Sequence, residues 1–245
     1  MDEKPKLRSS SQPVGRAPYP LNAPTQEVVE RIGLHFIYLH GVGKDDLQGE
    51  DWAEAFRDAI GGQALGSNLG IADVGLGRYA WSLKTIKRNS PSTVRTIRLI
   101  VGRCSPDYSY GISDPHADVA MTGEAVLKIL NARIEIALEA FPEMRTAVLI
   151  RSGDMREYVL FEASLSPYRT EQYEWAVNSN GNFIARHTPT QTLAFTWQPH
   201  GAQLTHHLTV PQEATHFTIN LPQRLGKVEL LQRLGADATW VSISR

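Results

Sequence analysis

The spacing of apolar residues predicts two helices in this chain. Apolar positions recur with a helical period over residues 50–60 and again over 122–140. Gly61 follows the first segment and Pro142 lies just past the second, as is typical of helix ends. Thr122 is the expected N-cap of the second helix.

Shorter runs that are apolar, or that alternate with a period of two, predict the strands. These runs cover residues 33–40, 70–74, 79–87, 94–101, 145–151, 157–162, 193–197, 204–210 and 216–221. A turn around Gly75 to Gly77 joins the second and third runs into a hairpin, and a short helix is predicted over 228–234. The order of elements predicts a fold that combines helices and strands (α/β in the broad sense, α+β in detail). We expect it to have a mixed sheet and a layered core.

Composition along the chain predicts three parts in one compact unit. Residues 1–28 are rich in Pro, Ser, Lys and Arg with little apolar periodicity, which is typical of a flexible arm. Residues 29–170 carry the helices and the hairpin and form the predicted core. Residues 171–245 have short strands and turns, so we expect a β-rich extension packed on that core.

The overall composition is that of a soluble globular protein. The chain has 245 residues, of which 42% are hydrophobic and 21% charged. It contains no apolar run long enough for a membrane span, and its N-terminus lacks the apolar core of a signal peptide. Cys104 is the only cysteine, which excludes an intrachain disulfide. We therefore expect a cytoplasmic protein without a membrane partner.

Charge is distributed unevenly although the net charge is only −1. Residues 74–106 contain no Asp or Glu, and they carry seven basic side chains: Arg78, Lys84, Lys87, Arg88, Arg95, Arg98 and Arg103. A positive surface around the predicted hairpin would favour a polyanion. A solvated strand face with clustered charges is the alternative interpretation.

Three other chemistries find little support in the sequence. His206 and His207 are adjacent in a predicted strand and point to opposite faces, so they cannot easily share a metal ion. The segment 39–44 lacks the full pattern of a phosphate-binding loop. Ser152 lacks the glycine two positions earlier that a nucleophile elbow requires.

Asp73 and Lys84 face each other across the predicted hairpin. A carboxylate on one strand can hold Mg²⁺, and an ammonium on the next can lie beside the attacking water at the same phosphate. The two groups would thus provide the minimum apparatus for cutting a phosphodiester. A turn-supporting aspartate and a surface lysine are the structural alternative.

This pair and the order of elements over residues 50–163 resemble the PD-(D/E)XK nuclease superfamily, which includes type II restriction endonucleases. The resemblance implies a core of helix, β-hairpin and strand, helix and strands. It departs from the common motif at Ala72, where proline is frequent, and at Ser82, where an acid is usual. Some restriction enzymes carry serine there and take the missing carboxylate from elsewhere.

The resemblance further implies the site residues. Asp73, Lys84, Glu54 and Ser82 are the candidate catalytic residues. Asp73, Glu54 and the Leu83 carbonyl are the candidate Mg²⁺ ligands, with Glu50, Asp107 and Glu124 as other possible acids.

We expect a type II restriction endonuclease that cuts double-stranded DNA as a homodimer. Arg and Lys can contact guanine, and Asn and Gln can contact adenine. The candidate DNA contacts are Lys87, Arg88, Arg98, Arg103, Asp107, Tyr108, Arg151, Asp154, Arg156, Trp197, Gln198, His200 and Gln203. Surface loops and packing are the alternative for each. A non-catalytic DNA-binding or accessory protein, or a β-rich ligand-binding protein, are the alternative functions.

Overall fold

The computed structural model describes residues 16–66 and 69–243 as a mixed α/β fold. The helices are α1 (Gln26–Gly41), α2 (Gly49–Ile60), α3 (Pro106–Tyr110), α4 (Val119–Ala140) and α5 (Lys227–Arg233). The strands are β1 (Gln63–Ala64), β2 (Val74–Leu76), β3 (Tyr79–Lys87), β4 (Thr96–Arg103), β5 (Glu143–Arg151), β6 (Glu157–Ser164), β7 (Tyr173–Val177), β8 (Phe183–His187), β9 (Thr192–Gln198), β10 (Gln203–Thr209) and β11 (Thr215–Thr218). In this part of the chain no helix has the length and apolarity needed to cross a bilayer.

The strands form two sheets. The first has six strands in the order β1-β2-β3-β5-β6-β11, and the second has five in the order β4-β10-β9-β8-β7. β2 and β3 form an antiparallel hairpin as predicted, but its first strand is Val74–Leu76 rather than 70–74, and the turn lies at Gly77 and Arg78 rather than around Gly75 to Gly77. β5 runs parallel to β3. A parallel neighbour requires a crossover connection, and here β4 and α4 lie within it.

Helices α1 and α2 cover one face of the first sheet through an aromatic core. Trp52 and Phe56 of α2 are fully buried, and Phe56 packs edge-on against Trp81 of β3 at 5.6 Å. Phe36 of α1 stacks on Tyr158 of β6 at 5.1 Å. The opposite face packs against α4 and the second sheet. Side chains that alternate along β3 therefore enter two different cores.

The strand predicted over 33–40 is wrong, because this segment belongs to helix α1. Thr25 caps the helix by accepting a hydrogen bond from the Val28 N–H. The buried residues Val28, Ile32, Phe36 and Leu39 recur at helical spacing. The apolar run was too short to distinguish a strand from a buried helix, and the helix begins seven residues earlier in a polar sequence.

The strand predicted over 94–101 exists as β4, but it lies in the second sheet rather than beside the hairpin. β4 pairs with β10, and Ile97 and Leu99 pack against β5 and β6 of the first sheet. A pattern of alternation shows that a strand exists without showing its partner. The neighbour of β3 is instead β5.

Most other predicted elements are present within a few residues of their predicted limits. Helix α2 ends at Gly61, which adopts the left-handed conformation at φ 68°. Helix α4 begins three residues before the predicted cap, because Asp118 accepts the Met121 N–H, while the Thr122 hydroxyl donates to the Pro115 carbonyl.

A buried ionic cluster fastens the chain before α1 to the first sheet. The Glu162 carboxylate accepts hydrogen bonds from the Tyr19 hydroxyl at 2.9 Å, the Trp81 indole N–H at 2.6 Å and the Arg145 guanidinium at 2.9 Å. Tyr19 is buried although it lies in the predicted flexible arm. Residues 1–15 of that arm lie outside the described residues.

Candidate active site at the β2–β3 hairpin

Asp73 extends the pairing of the hairpin by one residue. Its backbone N–H donates to the Trp81 carbonyl at 2.8 Å, and its carboxylate Oδ2 accepts the Leu83 N–H at 2.6 Å. The Asp73 side chain thus provides the hydrogen-bond acceptor that a neighbouring strand would otherwise provide at this edge of β3. Because the N–H and C=O groups of a strand residue point to the same side, the Leu83 carbonyl lies along this edge too.

The ammonium group of Lys84 lies at the same edge, among three oxygen atoms. Its Nζ donates to the Leu83 carbonyl and to the Ser82 hydroxyl, both at 3.1 Å, and it is 3.9 Å from Asp73 Oδ2. The Lys84 side chain is 27% exposed and that of Asp73 is 42% exposed. A carboxylate, a backbone carbonyl and an ammonium therefore meet where solvent can reach them.

Glu54 takes no part in this cluster. Helix α2 packs on the face of β3 that carries Trp81 and Leu83, while Ser82 and Lys84 point to the opposite face. The Glu54 carboxylate is 53% exposed and lies 3.5 Å from Arg57, its neighbour on the helix.

The donor atoms suit a hard cation, although few of them come from the protein. Asp73 and the Leu83 carbonyl supply oxygen ligands, and Mg²⁺ commonly uses one or two carboxylates and completes its shell with water and substrate phosphates. Over residues 16–66 and 69–243, no three His, Cys, Asp or Glu side chains converge to form a metal site. The oxygen atoms at this site thus suit a metal ion that is bound partly by the protein and partly by a substrate.

A small cavity of about 20 Å³ adjoins Lys84 on the side of the second sheet. Its polar lining comes from Ser82, Lys84, Thr146, Tyr168 and His206. Burial, and secondarily the adjacent His207, lowers the pKa of His206 to about 4. Burial also raises the pKa of Tyr168. The cavity can hold about one water molecule, beside Tyr168 and His206, which are uncharged at neutral pH.

No pattern in the sequence indicates this cavity. Tyr168 lies in a loop and His206 on β10, and the Tyr168 hydroxyl is 3.4 Å from His206 Nδ1. The two residues are distant from the hairpin in sequence, and the packing of the two sheets brings them to Lys84.

The loop after β4 and the turn between β9 and β10, which both carry candidate DNA contacts, meet at one end of the second sheet. Gln203 on β10 is paired in register with Arg103 on β4 and with Gln198 on β9. The Cys104 N–H donates to the Ala202 carbonyl at 2.7 Å, which ties the two loops together. The exposed side chains at this end include Arg103, Asp107, Tyr108 and His200. Tyr108, on α3, is 93% exposed.

Trp197 and Arg151 are in the interior, so neither presents an exposed side chain to DNA. Trp197 is 3% exposed, and its indole N–H donates to the Cys104 carbonyl at 2.8 Å. Arg151 is 6% exposed and donates to Asp46 and to the Leu47 carbonyl. Both were predicted as surface contacts because a sequence does not distinguish a buried polar group that has a partner from an exposed one.

The remaining candidate contacts are exposed but lie at other places. Lys87 bonds Asp46 at 3.3 Å, and Arg88 follows it at the end of β3. Asp154 and Arg156 lie in the turn between β5 and β6, where a hydrogen bond from Ser152 is the main cause that lowers the pKa of Asp154. Arg98 is exposed on β4.

Arg133 of α4 connects the segment before the hairpin with the end of β4. Its guanidinium donates to the Arg103 carbonyl and packs against Gly102. Its backbone carbonyl lies so close to Gly70 that a side chain at that glycine would collide with it. One helix position therefore contacts both the loop that leads to Asp73 and the end of β4.

No protein-family model matches the chain, and no curated protein or solved structure is significantly similar to it.

Proposed function

We propose that this protein is a Mg²⁺-dependent endodeoxyribonuclease that cuts double-stranded DNA at a specific site, on a restriction-endonuclease-like core. The observation that carries the proposal is the cluster of Asp73, the Leu83 carbonyl and Lys84 at the open edge of β3. These groups combine the oxygen donors that a hard cation needs with a positive charge for a phosphate.

The residues of the site have complementary tasks in this proposal. Asp73 and the Leu83 carbonyl would hold Mg²⁺, which when bound activates a water molecule and polarises the scissile phosphate. Lys84 would exchange its contact with the carbonyl for a phosphate oxygen and stabilise the charge that grows there during hydrolysis. Ser82 orients the ammonium through its hydroxyl.

The end of the second sheet would read the bases. Arg103, Gln198 and Gln203 are paired across three adjacent strands, and arginine and glutamine side chains suit guanine and adenine, respectively. Their connection to the hairpin through Arg133 would couple base contact to the position of Asp73. A homodimer would match the two-fold symmetry of a palindromic site.

A plasmid-cleavage assay with and without Mg²⁺ tests the activity. We expect wild-type protein to cut, and Asp73→Asn and Lys84→Met each to lower the rate by about 10²–10³. Asp58→Asn and Lys128→Met change the same residue types at exposed positions on α2 and α4 and should leave cleavage intact.

Glu54→Gln decides whether a second acid takes part. Its present pairing with Arg57 predicts a rate close to that of the wild type. If purified wild-type protein binds DNA in a salt-sensitive manner yet cuts none, modified DNA included, the nuclease proposal fails. In that case the single carboxylate at the site favours an accessory DNA-binding protein.

A further inference from the structure

Two apolar surfaces of this chain are left uncovered. Sixteen large apolar side chains are strongly exposed among the described residues, and nine of them lie either on α1 and its C-cap or in the C-terminal segment 227–243. They are Leu34, Tyr38, Val42, Val228, Leu231, Leu234, Trp240, Val241 and Ile243. Single exposed apolar residues scattered over a surface are normal, whereas exposed apolar residues that lie together mark an interaction surface.

The first surface is a groove and a stripe along α1. Leu34, Tyr38 and Val42 are spaced by four residues and are 64%, 62% and 45% exposed. Beside them, a groove of about 500 Å³ runs between α1 and the edge strand β11. Its apolar lining consists of Val29, Gly33, Leu34, Ile37, Phe217 and Ile219. The shape and chemistry suit an amphipathic helix.

The second surface is such a helix. Val228, Leu231 and Leu234 recur every third residue along α5 and its C-cap, and α5 buries none of its residues. Trp240, Val241 and Ile243 extend the apolar sequence beyond it.

The two residues just before the C-terminal segment are anchored beside α1, but the segment itself does not cover α1. The Leu225 N–H donates to the Gly41 carbonyl, and Arg224 pairs with Asp45 just beyond the end of α1. In the sequence, residues 1–15 include only three large apolar residues, Met1, Leu7 and Val14. Glu30 lines the groove while Lys227 begins α5, so opposite charges favour the pairing of these two surfaces.

We infer that this chain forms a two-fold dimer in which α5 and the residues after it bind the α1 groove of a second copy. At roughly 100 Å² of exposed surface per side chain, the nine side chains of each chain would bury on the order of 1,800 Å², within the ~1,200–2,000 Å² of stable interfaces. Because each chain places its α5 in the α1 groove of the other, both apolar surfaces of both chains are covered by the same contact, formed twice by symmetry.

Sedimentation velocity of the DNA-free full-length chain over a concentration series tests the dimer. We expect a dimer for the wild type, and a loss of affinity of at least tenfold for Leu34→Arg on α1 and for Leu231→Arg on α5. Ile100→Arg, at a position 57% exposed on β4, is the matched control and should remain dimeric. A monomer at all concentrations, or a dimer that both variants leave intact, would overturn the inference.

Cross-linking identifies which copy supplies the helix. Cys104 is buried, so Leu34→Cys in one chain and Leu231→Cys in another can be joined selectively by a bis-maleimide. A mixed cross-linked dimer is the expected product. If only a chain that carries both cysteines reacts, and reacts within itself, then α5 covers its own α1 and the exchange does not occur.

Discussion

Replacing Glu162 with glutamine should destabilise the fold by about 3 kcal/mol. The Glu162 side chain is 1% exposed and that of its partner Arg145 is 9% exposed. Glutamine keeps the size of the side chain and one acceptor oxygen, but it removes the charge that compensates the guanidinium. The variant therefore removes the negative charge of the pair, together with one acceptor oxygen, with little change in packing volume.

The size of the expected stability loss follows from the contacts that Arg145 keeps in the variant. Breaking a buried ion pair by removing one partner typically costs about 3–5 kcal/mol, since the other charge stays buried without compensation. Arg145 would still donate to the Tyr19 carbonyl at 3.3 Å and lie 5.3 Å from the ring of Tyr79. Cation–π contacts are worth about 0.5–2 kcal/mol, which moves the expected loss to the lower end of that range.

Urea denaturation followed by tryptophan fluorescence measures the loss directly. For a domain of this length, 3 kcal/mol corresponds to a fall in the melting temperature of roughly 6–12 °C. Glu135→Gln, at an exposed position of α4, is the control and should change stability by less than about 0.5 kcal/mol.

A double variant separates the charge from the hydrogen bonds. Adding Arg145→Met to Glu162→Gln should restore part of the stability, because the second change removes the uncompensated cation. The reasoning is refuted if Glu162→Gln costs less than about 1 kcal/mol, or if the two changes are simply additive.

Two further variants test packing and titration. Gly123→Ala should cost about 1–3 kcal/mol in urea denaturation, because a methyl group at this buried position of α4 would collide with the Trp175 ring, whereas Gly49→Ala has free space and should be tolerated. The lowered pKa of His206 means that the unfolded state binds more protons between pH 6.5 and about 4, so stability should fall by up to about 3 kcal/mol as the pH is lowered through this window. His206→Gln should flatten that slope in a pH series of melting curves, and an unchanged slope would show that another group is responsible.

The local part of the site could be predicted from the sequence, because a hairpin joins residues that are close along the chain. Asp73 and Lys84 are eleven positions apart around a glycine-containing turn, and period-two alternation sets which residues share a face. The same locality made α2 predictable from its apolar spacing and from Gly61.

Contacts between residues that are far apart in the sequence could not be predicted in this way. β4 has a strand pattern, yet the partner of a strand depends on which surfaces remain available after the others have packed. The polar partners of Trp197 and Arg151 come from distant loops, so their burial was not visible in the sequence. For α1, the apolar run over 33–40 fits both periods, and the N-cap at Thr25 is what distinguishes them.

The alternation of β3 also limits where a second acid can come from. Trp81 and Leu83 face α2, so Lys84 faces the second sheet, and an acid from the middle of α2 would have to reach around the edge of β3. The titratable groups that line the cavity beside Lys84, Tyr168 and His206, are neutral at physiological pH. With Asp73 as the one carboxylate of the cluster, a phosphate oxygen is the natural source of further negative charge. A cation at this site would then be held jointly by protein and substrate, and its affinity would depend on bound DNA.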